Sequence, residues 1–134
     1  MTSLISIEGI GAVYKEKLQD AGVGTVEALL ERGATPKGRK ELAGLTGAGD
    51  ERILDWVNRA DLYRIKGVGE EYSDLLERAG VDTVVELSRR NPDNLYTKMS
   101  EVNAEKELVR RLPTQAQVRD WVRQAKDLPR KVSY

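Results

Sequence analysis

Apolar residues recur along this chain at the spacing of an α-helix. Tyr14, Leu18 and Ala21 follow one another at i, i+4 and i+7, which places their side chains on one helical face. A second apolar face has four members at comparable spacing: Ile53, Trp56, Val57 and Ala60. No stretch alternates apolar and polar residues as a half-buried strand would. The pattern predicts an all-α protein.

The chain also repeats itself, with an offset of 58 residues (65 − 7). Between residues 7–30 and 65–88, 11 of 24 positions are identical, which predicts two tandem units of four to five helices with pseudo-two-fold symmetry. We expect these units at 1–62 and 63–134. The matching tryptophans, Trp56 and Trp121, are 65 residues apart (121 − 56), so a seven-residue insertion is expected within about 93–113. Since no Gly or Pro interrupts residues 50–66, one helix should run from Asp50 towards Ile65 and join the units.

Capping residues divide each half into short helices. Capping boxes, in which two side chains satisfy backbone N–H groups reciprocally, are expected at Thr83 with Glu86 and at Thr114 with Gln117. Other predicted N-caps are Thr25, Thr35, Asp50 and Asn91, with proline directly after Thr35 and Asn91.

Composition narrows the classes of function. The 22 basic and 22 acidic residues cancel, which argues against a dedicated high-affinity nucleic-acid binder. The absence of Cys and His removes disulfides, thiolate ligands and the commonest acid–base group. Acidic residues are scattered, and no Ser or Thr pairs with a base, so we expect no catalysis and no metal site. No apolar run is long enough for a membrane span and no targeting signal is evident, so a cytoplasmic, non-membrane protein is expected.

Two apolar-x-Gly-apolar-Gly segments, Ile7–Gly11 and Ile65–Gly69, each precede a predicted helix. Glycines allow a sharp turn that exposes backbone N–H groups at a helix N-terminus, where a phosphate can bind without a side chain intervening.

The segments resemble the helix-hairpin-helix (SAM-like) motif. The stretch beginning at Ile7 is similar to the N-terminal domain of RecA-like recombinases and to the C-terminal domain of the RNA polymerase α subunit. The tandem arrangement most resembles a bacterial family catalogued as a domain of unknown function. The resemblance implies sequence-independent binding of the DNA backbone, and some relatives hold a monovalent cation on hairpin carbonyls; no other cofactor is implied. Carried onto this chain, the phosphate-facing amides would be Gly9, Ile10, Gly11, Gly67, Val68 and Gly69, with supporting cations Lys15, Lys17, Arg64 and Lys66.

This chain departs from the DNA-binding pattern in its acidic residues. Glu8 lies inside the first segment, and Glu70 and Glu71 follow the second. A carboxylate close to a phosphate opposes binding. The alternative is that both segments are tight structural connections in a protein-interaction or scaffolding module.

One further surface is basic. Arg119, Arg123 and Lys126 fall at i, i+4 and i+7, so they share a helical face that could track a nucleic-acid backbone or dock an acidic partner. An ordinary solvated helix face is the alternative. Two functions therefore remain open for a chain expected to be monomeric: binding of DNA backbone, or binding of a protein partner.

Overall fold

The computed structural model describes residues 2–134, and every regular element in that range is helical. The all-α prediction is confirmed. The elements are a 3₁₀ turn at Leu4–Ser6 followed by α1 (Ala12–Asp20), α2 (Val26–Arg32), α3 (Pro36–Thr46), α4 (Asp50–Leu62), α5 (Glu70–Arg78), α6 (Val84–Ser88), α7 (Pro92–Lys106) and α8 (Gln115–Asp127). Across the described range, no helix is long and apolar enough to cross a membrane.

The chain divides into two compact units. The first extends to Asp61 and also takes in Lys131–Tyr134, and the second is Leu62–Arg130. The sequence placed residues 131–134 with the second half, but hydrogen bonds to Ala34 and Arg39 hold them in the first unit. Helix α4 ends at Leu62 and a turn follows, so the expected helix towards Ile65 is shorter than predicted.

Each unit packs around a buried tryptophan. Trp56 in the first unit and Trp121 in the second are both 1% exposed. A tyrosine from the helix after each glycine segment contacts the indole, with ring centroids 5.0 Å apart for Tyr14–Trp56 and 5.3 Å for Tyr72–Trp121. Burying these rings removes a large apolar area from water and fixes the helix that carries each tryptophan against the helix that follows the glycines.

The side chain of a threonine or an asparagine caps the N-terminus of five helices. The side chains of Thr25, Thr35, Thr83, Asn91 and Thr114 each accept a hydrogen bond from an amide in the first turn of α2, α3, α6, α7 and α8, respectively. The reciprocal capping box forms at Thr114 with Gln117. Asp50, predicted as a cap, is instead the first helical residue of α4.

The length difference between the halves is spread over three places. Helix α7 has 15 residues where α3 has 11, and the connection that follows runs over 107–114 instead of 47–49. Helix α6, with 5 residues, is two shorter than α2, which has 7. These changes give the net seven residues without a single inserted segment. The residue that ends the helix also differs, since Gly47 follows α3 and Glu107 follows α7. Both residues are left-handed, with φ of 75° and 51°, respectively.

Candidate functional site

The first glycine turn, Ile7–Gly11, is a tight turn closed by its own backbone. The amide of Ile10 donates to the carbonyl of Ile7 at 3.1 Å, and Gly9 has φ of +96°. A Cβ atom on Gly9 would also stand 3.1 Å from Nε1 of Trp56. Both the backbone angle and the close indole therefore require glycine at this position.

The second glycine turn, Ile65–Gly69, has the same internal geometry. The amide of Val68 donates to the carbonyl of Ile65 at 3.1 Å, and Gly67 has φ of +98°. Gln124 of α8 clamps this turn at two points, because its side chain accepts from the amide of Lys66 at 2.8 Å and donates to the carbonyl of Lys66 at 3.2 Å.

These hydrogen bonds show which of the predicted phosphate-facing amides already have a partner within the turns. Ile10 and Val68 have buried side chains, and their N–H groups are occupied within the turns. The backbone groups that remain are those around Gly11 and Gly69, which are the N-caps of α1 and α5. Neither helix has a side-chain cap. Two helix N-termini therefore keep amides that no side chain satisfies.

Basic side chains surround the start of α1. Arg52 donates to the hydroxyl of Tyr14 at 2.7 Å, and its Cζ lies 5.4 Å from the centroid of the Tyr14 ring. Nζ of Lys17 lies 5.6 Å from the same centroid. Lys15 is partly exposed on the same helix, and the first turn of α1 contains no acidic residue. Of the two predicted cations on α1, Lys15 and Lys17, it is Lys17 that lies over the ring of Tyr14.

The second turn has a more balanced charge environment. Arg64 and Lys66 line a groove of about 390 Å³ together with Arg123 of α8. The same groove contains Asp120 and Asp127, and the first turn of α5 contains Glu70 and Glu71. Arg64 donates to the carbonyl of Pro129 at 2.9 Å. The structure thus brings the predicted cations together but places carboxylates among them.

The predicted basic face of α8 is partly neutralised. Arg119 pairs with Asp93 of α7 at 3.2 Å, and Arg123 forms a forked ion pair with Asp120. The hydrogen bond from Arg123, followed by that from Gln124, lowers the pKa of Asp120 below its ordinary value. Both ion pairs are exposed, so each contributes little stability, but each reduces the positive charge open to a partner.

The first unit contains a third glycine turn, which the repeat of 58 residues does not reveal. Leu45–Gly49 has the same apolar-x-Gly-apolar-Gly order and directly precedes α4. Gly49 accepts a hydrogen bond from Ile53 at 3.0 Å, as Gly11 accepts one from Lys15 at 2.9 Å. The spacing alone could have revealed this turn. This turn has no counterpart in the second half, because the corresponding connection, which ends in Pro113 and Thr114, contains no glycine.

No described group of three or more His, Cys, Asp or Glu residues could hold a metal ion. No curated protein and no solved structure matches the chain. One family does match, over residues 8–128, and its description is Domain of unknown function (DUF4332). Since that match spans most of the 134 residues, the protein belongs to the DUF4332 family.

Proposed function

We propose that this protein is a non-catalytic module that binds the sugar–phosphate backbone of nucleic acid without sequence preference, and that its glycine turns are helix-hairpin-helix elements. The observation that supports this most directly is the pair of helices, α1 and α5, that begin at Gly11 and Gly69 with no side-chain cap. Amides at a helix N-terminus attract anions through both hydrogen bonding and the helix dipole. Amides that contact phosphates position a protein on nucleic acid but do not read bases.

The first unit is the stronger half of the proposed interface. The first turn of α1 has no carboxylate, and Glu8 is the single carboxylate of the glycine turn before it. Lys17 of α1 and Arg52 of α4 both lie beside the ring of Tyr14. After the second glycine turn, Glu70 and Glu71 lie in the first turn of α5, where they would repel a phosphate. Most of the attraction is therefore expected from the first unit.

The third glycine turn extends this argument within the first unit. The Arg52–Tyr14 hydrogen bond brings the first turn of α4, which follows Gly49, next to the start of α1. Two glycine-opened helices thus meet inside one unit. Asp50 and Glu51 begin α4, so we assign the main phosphate contact to α1 and a flanking role to Arg52.

The test is binding of fluorescently labelled duplex and single-stranded DNA over a salt series. For two glycine turns with few cations we expect a slope of log K against log salt of roughly −3 to −5, from about −0.9 per phosphate neutralised on duplex DNA. DNAs of unrelated sequence should bind equally. Undetectable binding at about 50 mM salt, where electrostatic attachment is strong, would contradict the proposal.

A protein-docking role is the second candidate, and specific observations favour it. Among the described residues of the first unit, three large aliphatic side chains are exposed: Ile5, Val13 and Leu45. Val13 lies in the first turn of α1, where a phosphate would approach. The ion pairs of Arg119 and Arg123 leave the face of α8 less suited to nucleic acid than its sequence indicates. Under this proposal the glycine turns are connections, and DNA binding would be absent.

A further inference from the structure

The segment Lys131–Tyr134, here called the tail segment, lies in a groove of the first unit without forming a helix or strand. Its one aliphatic member, Val132, is 3% exposed, while the residues on both sides of it are exposed. The groove is the surface formed by α2, by the α2–α3 connection, by α3 and by α4, because the contacts of the tail segment are with Glu31, Ala34, Arg39 and Asn58.

The groove holds the tail segment chiefly through hydrogen bonds to the backbone of the tail segment. The amide of Ser133 donates to the carbonyl of Ala34 at 2.8 Å, and the carbonyl of Ser133 accepts from Nη2 of Arg39 at 2.6 Å. Both polar backbone groups of a single residue are thus satisfied by the groove. Recognition of an extended backbone with a pocket for an alternate side chain is a common mode of peptide binding.

The side chain of Arg39 is held in place for this contact by a second hydrogen bond, which does not involve the tail segment. This side chain is buried, with the residue 7% exposed, and Nη1 donates to the carbonyl of Gly33 at 2.9 Å. A buried guanidinium is costly unless it is hydrogen-bonded, so a helix in a purely apolar core would not carry one. The second unit provides the comparison. Helices α3 and α7 both begin at a proline, and three residues later α3 has Arg39 whereas α7 has the buried Leu95.

The side chains of the tail segment add four polar contacts, one of which is the hydrogen bond from Oγ of Ser133 to the carbonyl of Ala34 at 3.2 Å. Lys131 pairs with Glu31 at 2.9 Å, the ring of Tyr134 lies 5.9 Å from Cζ of Arg39, and the hydroxyl of Tyr134 donates to Asn58 at 3.3 Å. These contacts define an order of chemistry along the groove: a cation, a β-branched apolar side chain, a small residue and an aromatic residue.

We propose that this groove is a binding site for an extended peptide of that chemistry, and that the tail segment is its tethered occupant, which a partner peptide must displace. Tethering raises the local concentration of the tail segment to roughly the millimolar range, so a free peptide competes poorly with it in the intact chain. A change that dislodges the tail segment should therefore open the site. This inference does not depend on DNA binding.

The test uses the full-length chain labelled with ¹⁵N and a synthetic peptide, Pro-Arg-Lys-Val-Ser-Tyr, that copies residues 129–134. Ser133→Pro removes the amide that donates to Ala34 and should free the groove. Titration of this variant should produce saturable shifts in the signals of Gly33, Ala34 and Asn58. The wild-type chain, with its groove occupied, should show much smaller shifts at the same peptide concentrations.

The matched control is the double variant Ser133→Pro with Arg39→Leu, which carries the side chain found at the corresponding position of α7. It should bind no peptide. Equal shifts in the single and double variants, or no shifts in a folded Ser133→Pro chain, would overturn the proposal. If Ser133→Pro does not fold, Val132→Ala loosens the tail segment while keeping its backbone bonds. That variant should bind the peptide more tightly than wild type, and a response equal to wild type would likewise overturn the proposal.

Discussion

Nε1 of Trp56 lies 3.1 Å from the point at which a Cβ atom on Gly9 would stand. The second unit has the same relationship, with Nε1 of Trp121 3.0 Å from that point on Gly67. The tryptophan therefore packs directly against the glycine turn, and the two features depend on each other. The turn has no room for a side chain beside the indole.

Replacing Gly9 with alanine should lower the free energy of unfolding by about 2 kcal/mol, since a positive φ and a close contact both oppose a Cβ atom. Gly67→Ala should have a similar effect, because φ is +98° there. Gly24→Ala is the control, as a Cβ atom at Gly24 would meet nothing within 4 Å and φ is not in the left-handed region. Urea denaturation measures all three. Equal values for Gly9→Ala and Gly24→Ala would contradict the argument.

Glu107→Gly should stabilise the protein. Glu107 ends α7 with φ of 51°, a left-handed conformation that costs energy for a residue with a side chain and that Gly47 supplies after α3. We expect a gain of about 0.5 kcal/mol, because the greater freedom of glycine in the unfolded chain offsets part of the relief. Glu105→Gly, two residues earlier within the helix, should instead cost about 1 kcal/mol. Thermal and urea unfolding of the pair would test the difference in sign.

Much of the fold follows from local sequence signals. Helix α2 runs from Val26 to Arg32, between the predicted cap Thr25 and the glycine that ends it, Gly33. Such boundaries are set by hydrogen bonds within a few residues of the helix end, so the local residue types predict them. The left-handed conformation of Glu107 carries no such signal, because glycine is the residue usually found at that position and none follows α7.

The candidate site was less predictable, since its properties come from partners distant in sequence. The motif alone assigns Ile10 to phosphate, yet the amide of Ile10 closes the turn. Arg119 was assigned to a basic face on helical spacing alone, yet Asp93, 26 residues away, pairs with it. The tail segment offered no motif, because its position depends on Arg39, 94 residues earlier than Ser133. Spacing identifies which residues share a face but not which partners neutralise them.

The ion pair on α8 should be visible in the titration of Asp120. Hydrogen bonds from Arg123 and then Gln124 stabilise the carboxylate and lower its pKa in the folded state. Its contribution to stability is therefore present above the unfolded pKa and is lost as the pH falls through the folded pKa. Arg123→Gln should move the pKa of Asp120 back towards its ordinary value, with Gln124 retaining part of the effect. Carboxyl ¹³C shifts followed by NMR against pH would measure it, and an unchanged pKa would show that the ion pair does not persist in solution.

Reversing single charges tests which of the two units contributes more to DNA binding. Lys17→Glu places a carboxylate beside Tyr14 near the start of α1, and Lys66→Glu places one in the second glycine turn. Both side chains are exposed, so stability should change little. Lys37→Glu and Lys98→Glu are the controls, because they make the same charge change at exposed positions of α3 and α7 outside the glycine turns. If the first unit makes the main contact, Lys17→Glu should weaken DNA binding more than Lys66→Glu and reduce the salt slope by about 1, as expected for one lost phosphate contact. Equal losses in all four variants would mean that only net charge matters and would remove the assigned role of α1.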